Sequence, residues 1–239
     1  MPEPAKPLGR KTQDDVTSMK SNVAWRHKTR DRSGMTLEGD DAGSSQRGVK
    51  ENIEENGDIL FLQEVTSTAA TNMRGYVTHH NIGTVMHDTA VVTKNGITLN
   101  NVFKLPSGRA IAAEYRGTWL INIYAPSGTA RRHEREKFYN SDLPYLLRSS
   151  QARMILGGDF NCVLANSDTT DQYHYSRGLA ELTHGFAIQD TWQQNPASPT
   201  YTHQSITGAM RIDRLYTTQE MLAKKLTYLL HGAESFLRS

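Results

Sequence analysis

Five residues of the kinds that handle phosphate chemistry stand at the ends of apolar runs in this 239-residue chain. Glu64 follows ILFLQ, Tyr124 follows LINI, Asp159 and Asn161 follow MILGG, and Asp213 lies within MRIDRLY. A carboxylate is costly to bury unless a cation, a donor or solvent compensates it. Its recurrence at the ends of core-like runs therefore points to a common compensating partner. A hard cation such as Mg2+ would serve through oxygen ligands, polarising a phosphate and orienting water. Each residue also has a plainer reading: Glu64 as a solvated strand end, Tyr124 as an aromatic at the core edge, Asp213 as an ion-pair partner of Arg211 or Arg214, and Asp159 and Asn161 as turn residues bonded to nearby backbone.

The elements that must position these residues follow from residue 51 onward, where short apolar runs alternate with turn residues. VKENIEENG reads as a helix end with Asn56-Gly57 as its stop, and DILFLQEV as the strand that follows. Further strands are expected at TAVVTKN, at AIAAEYRG paired with TWLINIYAP across a hairpin at Arg116 and Gly117, at ARMILGGDF and at RIDRLYT. REKFYNSDLPYLLRS has helical apolar spacing at Phe138, Leu143, Leu146 and Leu147, with Pro144 in its middle. RGLAELTHGFAIQDTW reads as a second helix leading into a short strand. The two glycines before Asp159 are expected to end their strand in a sharp turn. A hairpin combined with separate helices argues for a mixed α/β sandwich over a uniform βαβ repeat.

Residues 1–50 differ, being rich in Lys, Arg, Asp, Ser and Gly, and read as a basic, largely disordered segment preceding a domain at 51–239. Between Lys6 and Arg32 stand eight Lys or Arg against three Asp. Net charge is only +2 and the pI about 8.6, which permits a polyanionic partner without demanding one. A single cysteine, Cys162, excludes an internal disulfide and fits a reducing compartment; it reads as a packed thiol, because no local signature activates it. No apolar run approaches the roughly 18 residues that a membrane span needs, and an intracellular protein is expected.

LQE at 62–64, NIYAPSG at 122–128, GGDFN at 157–161 and RIDRLY at 211–216 resemble, in order, the motifs of the endonuclease/exonuclease/phosphatase superfamily, whose fold is that of DNase I. Within it, the closer resemblance is to the apurinic-type endonuclease domain of LINE-type non-LTR retrotransposons, which shows similar YAP, GDFN, DTW, YTH and RIDR segments. The resemblance covers about residues 51–239. It implies a two-sheet α/β sandwich flanked by helices, a DNA partner, a Mg2+ cofactor with Mn2+ as the alternative, and a nuclear location. Carried over residue by residue, it implies that Glu64 binds the metal and that Tyr124 positions or donates to the scissile phosphate. Asp159 would orient or deprotonate the attacking water, Asn161 would hold water and phosphate in line, and Asp213 would orient a histidine. Ser127 and Arg211 would bind substrate.

Two departures from the family pattern shape the expectation. Family members carry a Ser-Asp-His segment on a last core strand, where this chain reads GAESFLRS, and their first strand carries an Asn or Asp that helps hold metal, where SNVAW lacks the apolar lead. The first and last core strands are thus expected to be missing or degenerate and activity feeble. His79, His80, His87 and His203 sit in no matching motif and read as structural or solvated. The leading reading is a DNA endonuclease impaired in this form. The alternatives are an inactive, nucleic-acid-binding module of the same fold, using the tail and Arg131, Arg132 and Arg135, or another phosphodiesterase or phosphatase. Those three arginines read equally as a solvated helix start.

Overall fold

The computed structural model describes residues 58–65, 74–83, 89–148, 153–170, 175–192, 201–204 and 208–223, together with the backbone of 23–26. Strands β1 (Val23–Arg26), β2 (Ile59–Gln63), β3 (Tyr76–Asn81) and β4 (Thr89–Lys94) form one sheet in the order β1-β2-β4-β3. The following chain supplies β5 (Asn100–Lys104), β6 (Ala110–Tyr115), β7 (Thr118–Tyr124), β8 (Met154–Asp159) and β9 (Ile188–Asp190), the two-residue strands β10 (His203–Gln204) and β11 (Ala209–Met210), and β12 (Asp213–Thr218). Six of them form the second sheet, β5-β6-β7-β8-β12-β9, while β10 and β11 pair as a small ribbon. The expected two-sheet sandwich is the fold observed.

Alternation along each strand sorts its side chains between two cores. On β7, Ile121 and Ile123 face the helices, packing with Phe138, Leu143, Leu147 and Leu179, while Leu120 faces the other sheet with Ile59, Phe61, Val91 and Ile155. Burying each such side chain stabilises the fold by about 1.5–3 kcal/mol. The same alternation puts Asn122 and Tyr124 on the inter-sheet face, beyond Leu120. At the β6–β7 hairpin, Arg116 and Gly117 both have positive φ (48° and 73°), the geometry a two-residue turn needs to match the strand twist.

The helices are α1 (Arg132–Lys137), α2 (Leu143–Leu147), α3 (Arg177–Gly185) and α4 (Gln219–Ala223). A π-helical turn over Phe138–Asp142 joins α1 to α2, and Pro144 sits at the start of α2, where its missing N–H costs least. The proline is thereby accommodated inside one helical run. Ser176 caps α3, its side chain accepting from the Leu179 N–H at 3.1 Å.

Two expectations are corrected. Val23–Arg26, inside the segment expected to hold no core strand, forms β1 in parallel register with β2, Val23 opposite Ile59. The glycines of MILGG do not end their strand: β8 runs through Gly157 and Gly158 to Asp159. A Cβ on Gly157 would fall 2.7 Å from Leu215 Cδ1 and 3.1 Å from Phe61, and one on Gly158 would fall 2.0 Å from the Ile123 carbonyl oxygen. These positions are glycine because sheet meets sheet, and strand meets strand, too closely for a side chain. The expected helix end before Asn56-Gly57, His87 and the GAESFLRS segment lie outside the described residues. Among the described residues no helix is long and apolar enough to cross a membrane.

Candidate active site

Register brings three of the expected residues into one row. Tyr124 at the end of β7 lies opposite Asp159 at the end of the parallel β8, and Asp159 lies opposite Asp213 at the start of the antiparallel β12. All three occupy the inter-sheet face, and Asp159 and Asp213 are buried. Like charges directly opposite on neighbouring strands destabilise a sheet, so this row favours a cation or a hydrogen-bond donor beside it.

Glu64 reaches the row from the other sheet. It follows β2 with φ 54°, in the left-handed region that costs a non-glycine residue about 1–3 kcal/mol, and its Oε1 accepts from the Tyr124 hydroxyl at 2.5 Å. Burial, followed by the hydrogen bond to Glu64 and its charge, pushes the Tyr124 phenol well above its ordinary pKa; Ser127 opposes this by hydrogen-bonding the phenol, and Asp159 adds to it. Tyr124 is therefore a protonated donor at neutral pH. Ser127 touches the row through it.

Asn161 also has positive φ, 49°, a conformation asparagine tolerates better than most residues. Its N–H donates to Asp159 Oδ1 at 2.8 Å and its Nδ2 to the Ala125 carbonyl at 2.9 Å. The plainer turn reading is thus partly realised, yet the turn lies at the end of the row, fixing the Asp159 carboxylate.

Arg211 was expected to bind substrate. Its side chain is instead buried in a four-charge cluster: Nε donates to Asp168 Oδ1 at 3.0 Å and Nη2 to Asp190 Oδ2 at 2.8 Å, while Arg214 bonds Asp168 Oδ2 at 2.7 Å and Asp190 Oδ2 at 2.9 Å. Both arginines flank Asp213 and are held by Asp168 and Asp190, so the cluster fixes the start of β12. Thr202 Oγ1 accepts from the backbone N–H of both Ile212 and Asp213 at 3.1 Å. Arg135 is likewise buried, its Nη1 donating to the carbonyls of Pro126 and Gly128 at 2.9 and 3.0 Å, so it braces the loop bearing Ser127 while Arg131 and Arg132 stay exposed. Cys162 is buried beside Tyr139, and burial pushes its thiol up to about 11, as a packed thiol requires. His79 and His80 lie on the edge strand β3, and burial, then Lys104, lowers the His79 pKa. His203 stands on β10, next in the chain to Thr202.

Sequence reasoning missed the polar pair that sets the two sheets in register. Gln63 Nε2 donates to Asn122 Oδ1 at 2.5 Å, and Asn122 Nδ2 donates to the carbonyls of Leu62 and Ala90 at 2.8 and 2.9 Å. Each amide directly precedes, or stands two before, a member of the site. The available signal was a lone amide inside an apolar run: the Gln of ILFLQ and the Asn of LINIY.

Mg2+ prefers oxygen ligands and is commonly held by one or two carboxylates, several waters and substrate phosphate oxygens. Glu64 supplies such a carboxylate, held in place by Tyr124. Among the described residues no three His, Cys, Asp or Glu cluster to form a protein cage. The donor set therefore fits a Mg2+ bound through Glu64 and completed by water and phosphate.

The chain matches the model of the Endonuclease/Exonuclease/phosphatase family over residues 26–234. No protein of curated function matches it significantly. Similar solved structures include a 3'-5' exonuclease (NExo) from Neisseria meningitidis, 21% identical with a TM-score of 0.64 over 76% of this chain and 84% of that one. A 3' phosphatase NExo from Neisseria bound to product DNA hairpin is 18% identical, TM-score 0.63, over 85% and 88%. An AP endonuclease from Archaeoglobus fulgidus is 16% identical, TM-score 0.58, over 74% and 81%. At such identities these structures speak for the fold, and the family match spans most of the sequence: the chain belongs to the endonuclease/exonuclease/phosphatase family.

Proposed function

We propose that this chain is a metal-dependent phosphodiesterase acting on DNA, an endonuclease of the kind carried by LINE-type retrotransposons. The observation that carries the reading is the row of Tyr124, Asp159 and Asp213 on three adjacent strands, closed from the opposite sheet by Glu64. The Neisseria 3' phosphatase, solved with a product DNA hairpin, has the same fold and supports DNA as the polymer. The NIYAPSG and RIDRLY forms support the retroelement branch.

In this reading Asp159, held by the Asn161 N–H, accepts the proton of the attacking water. Tyr124 keeps its proton, given to Glu64 in the free protein, and turns it to a non-bridging phosphate oxygen in the substrate complex, while Asn161 holds water and phosphate in line. Asp213, fixed by its arginine neighbours, orients the group that stabilises the phosphate charge. A Mg2+ at Glu64 supplies Lewis-acid polarisation of the phosphate when bound. Positioning and charge stabilisation together are what phosphodiester cleavage requires.

The test is nicking of supercoiled plasmid with Mg2+, with and without chelator, by the chain and by Asp159→Ala. Weak, chelator-sensitive nicking that is lost in the variant is expected, since the reading keeps the impairment that the departures from the family pattern imply. Identical behaviour of two folded proteins would overturn the reading, and salt-sensitive DNA binding without cleavage would move it to a nucleic-acid-binding module.

A further inference from the structure

Tyr124 has two carboxylates on its phenol side, Glu64 in contact and Asp159 within electrostatic reach. A buried cation stands over its ring. Arg109 is 4% exposed, and its Cζ lies 6.0 Å from the centre of the Tyr124 ring, a separation at which a guanidinium is attracted to the ring face. The two residues also bond through their backbones and the guanidinium: the Tyr124 N–H donates to the Arg109 carbonyl at 2.8 Å, and Arg109 Nη1 donates to the Tyr124 carbonyl at 3.4 Å. The other terminal nitrogen, Nη2, donates to Glu134 Oε1 on α1 at 3.0 Å, and that carboxylate is half exposed.

The loop that carries Arg109 is fastened on every side. Asn81 Nδ2 donates to the carbonyls of Leu105 and Ala110 at 3.0 and 2.8 Å, and Thr89 Oγ1 donates to the Gly108 carbonyl at 2.9 Å. Gly83 approaches so closely that a Cβ there would lie 2.4 Å from Ser107 O. With its backbone fixed, Arg109 has its ring-side placement decided by where its guanidinium is tied. That tie is Glu134.

We propose that Arg109 is a positioning residue for Tyr124 and Glu134 its anchor, the ion pair between them holding the guanidinium over the ring so that the phenol stays aimed at the phosphate. The inference rests on the hydrolytic reading of the row. Arg109 is too enclosed to meet a polymer itself, so it acts through Tyr124. Glu134 lies on the outer side of a surface helix, which allows the anchor to be cut without opening the core.

The experiment uses the full chain with Glu134→Gln, Arg109→Lys, Arg109→Gln, Tyr124→Phe and the double variant Glu134→Gln/Tyr124→Phe, assayed for Mg2+-dependent plasmid nicking. Glu134→Gln is expected to lower kcat by about 10- to 100-fold with KM little changed, as for a misplaced catalytic group. Arg109→Lys, which keeps the charge, is expected to retain more activity than Arg109→Gln. The double variant is expected to be no slower than Tyr124→Phe alone. Losses that multiply in the double variant would mark a merely structural role and overturn the proposal.

A second readout separates this inference from the hydrolytic reading. In protein labelled with 13C at the tyrosine ring, the Tyr124 resonance, identified by its absence in Tyr124→Phe, is expected to move in Glu134→Gln, while that of Tyr145, 75% exposed on α2, stays in place. An unmoved Tyr124 resonance would overturn the proposal even in a protein that nicks. Where neither the chain nor Asp159→Ala nicks, the hydrolytic reading falls and the resonance alone decides the coupling of Arg109 to Tyr124.

Discussion

The Tyr124 hydroxyl donates to Glu64 Oε1 at 2.5 Å, tying the end of β7 in one sheet to the residue that follows β2 in the other. A partner that orients a metal-binding carboxylate typically contributes about 10- to 100-fold to metal affinity. Tyr124→Phe is therefore expected to raise the Mg2+ concentration for half-maximal nicking by that factor. It should also lower the saturated rate, by about 100- to 1,000-fold, because in the proposed substrate complex the phenol's single proton turns from Glu64 to a phosphate oxygen. Glu64→Gln is expected to shift the Mg2+ dependence at least as far. A Tyr124→Phe protein whose Mg2+ curve matches the unaltered chain would separate the phenol from the metal.

Asn122 makes a different prediction, because its amide joins the sheets without touching a ligand. Asn122→Ala strands the Gln63 amide in the inter-sheet core, at about 1–3 kcal/mol for the unsatisfied group, and removes the side-chain donor to the Leu62 and Ala90 carbonyls. In a chain of this size each kcal/mol lowers Tm by about 2–4 °C. Calorimetry should show the fall, and Asn122→Ala/Gln63→Leu, which removes both amides, should recover part of it. A double variant less stable than Asn122→Ala would mean that Gln63 is held by something other than this pair.

Gly158 is the least replaceable position in the site's framework. Its φ of 135° is one L side chains rarely adopt, and its Cβ would overlap Ile123 O in the neighbouring strand. Gly158→Ala is expected not to yield folded protein. Gly157→Ala meets the movable end of Leu215 and the Phe61 ring, so overpacking of about 1–3 kcal/mol is expected with the fold retained. Circular dichroism and thermal melts of the two variants distinguish them, and equal stability would contradict the close strand approach.

How much of this was legible in the sequence depends on the range of the interaction. Strands β2, β4, β6, β7, β8 and β12 and helix α3 follow apolar runs and turn residues that any reader of the chain can see, because alternation and capping are local. Strand β1 was not legible, since VAWR is short, lies in a charged segment and becomes a strand only by pairing with β2. Tyr124, Asp159, Asn161 and Asp213 were singled out because each ends an apolar run, and register then put three of them in a row. Asp168 and Asp190 carry no such signal: they matter only because β12 brings Arg211 and Arg214 to them across 43 and 24 residues respectively, for the Arg211–Asp168 and Arg214–Asp190 contacts. A separation of 25 residues likewise hid Arg109 from Glu134, and the pairing of Arg211 with Asp168 and Asp190 holds in the interior a side chain expected to bind substrate.

That buried cluster gives the fold a defined response to acid. Burial alone would raise the Asp168 carboxyl, but Arg214 and then Arg211 outweigh it and hold its pKa below the ordinary carboxylate value. A carboxyl with a depressed folded pKa stabilises the fold above its unfolded pKa of about 3.9 and ceases to do so as pH falls through the lower folded value. Asp168→Asn keeps the shape and removes the charge, leaving two buried guanidiniums short of a partner, a change that costs about 3–5 kcal/mol when a buried pair is broken. The Tm difference between the chain and Asp168→Asn is expected to be constant from about pH 8 to 5 and to shrink only below about pH 4, where Asp168 of the unfolded chain takes up a proton while the folded carboxyl still resists it. A difference that already narrows near pH 6 would place the controlling titration elsewhere, because Asp168, with its pKa held below the ordinary carboxylate value, keeps its charge there.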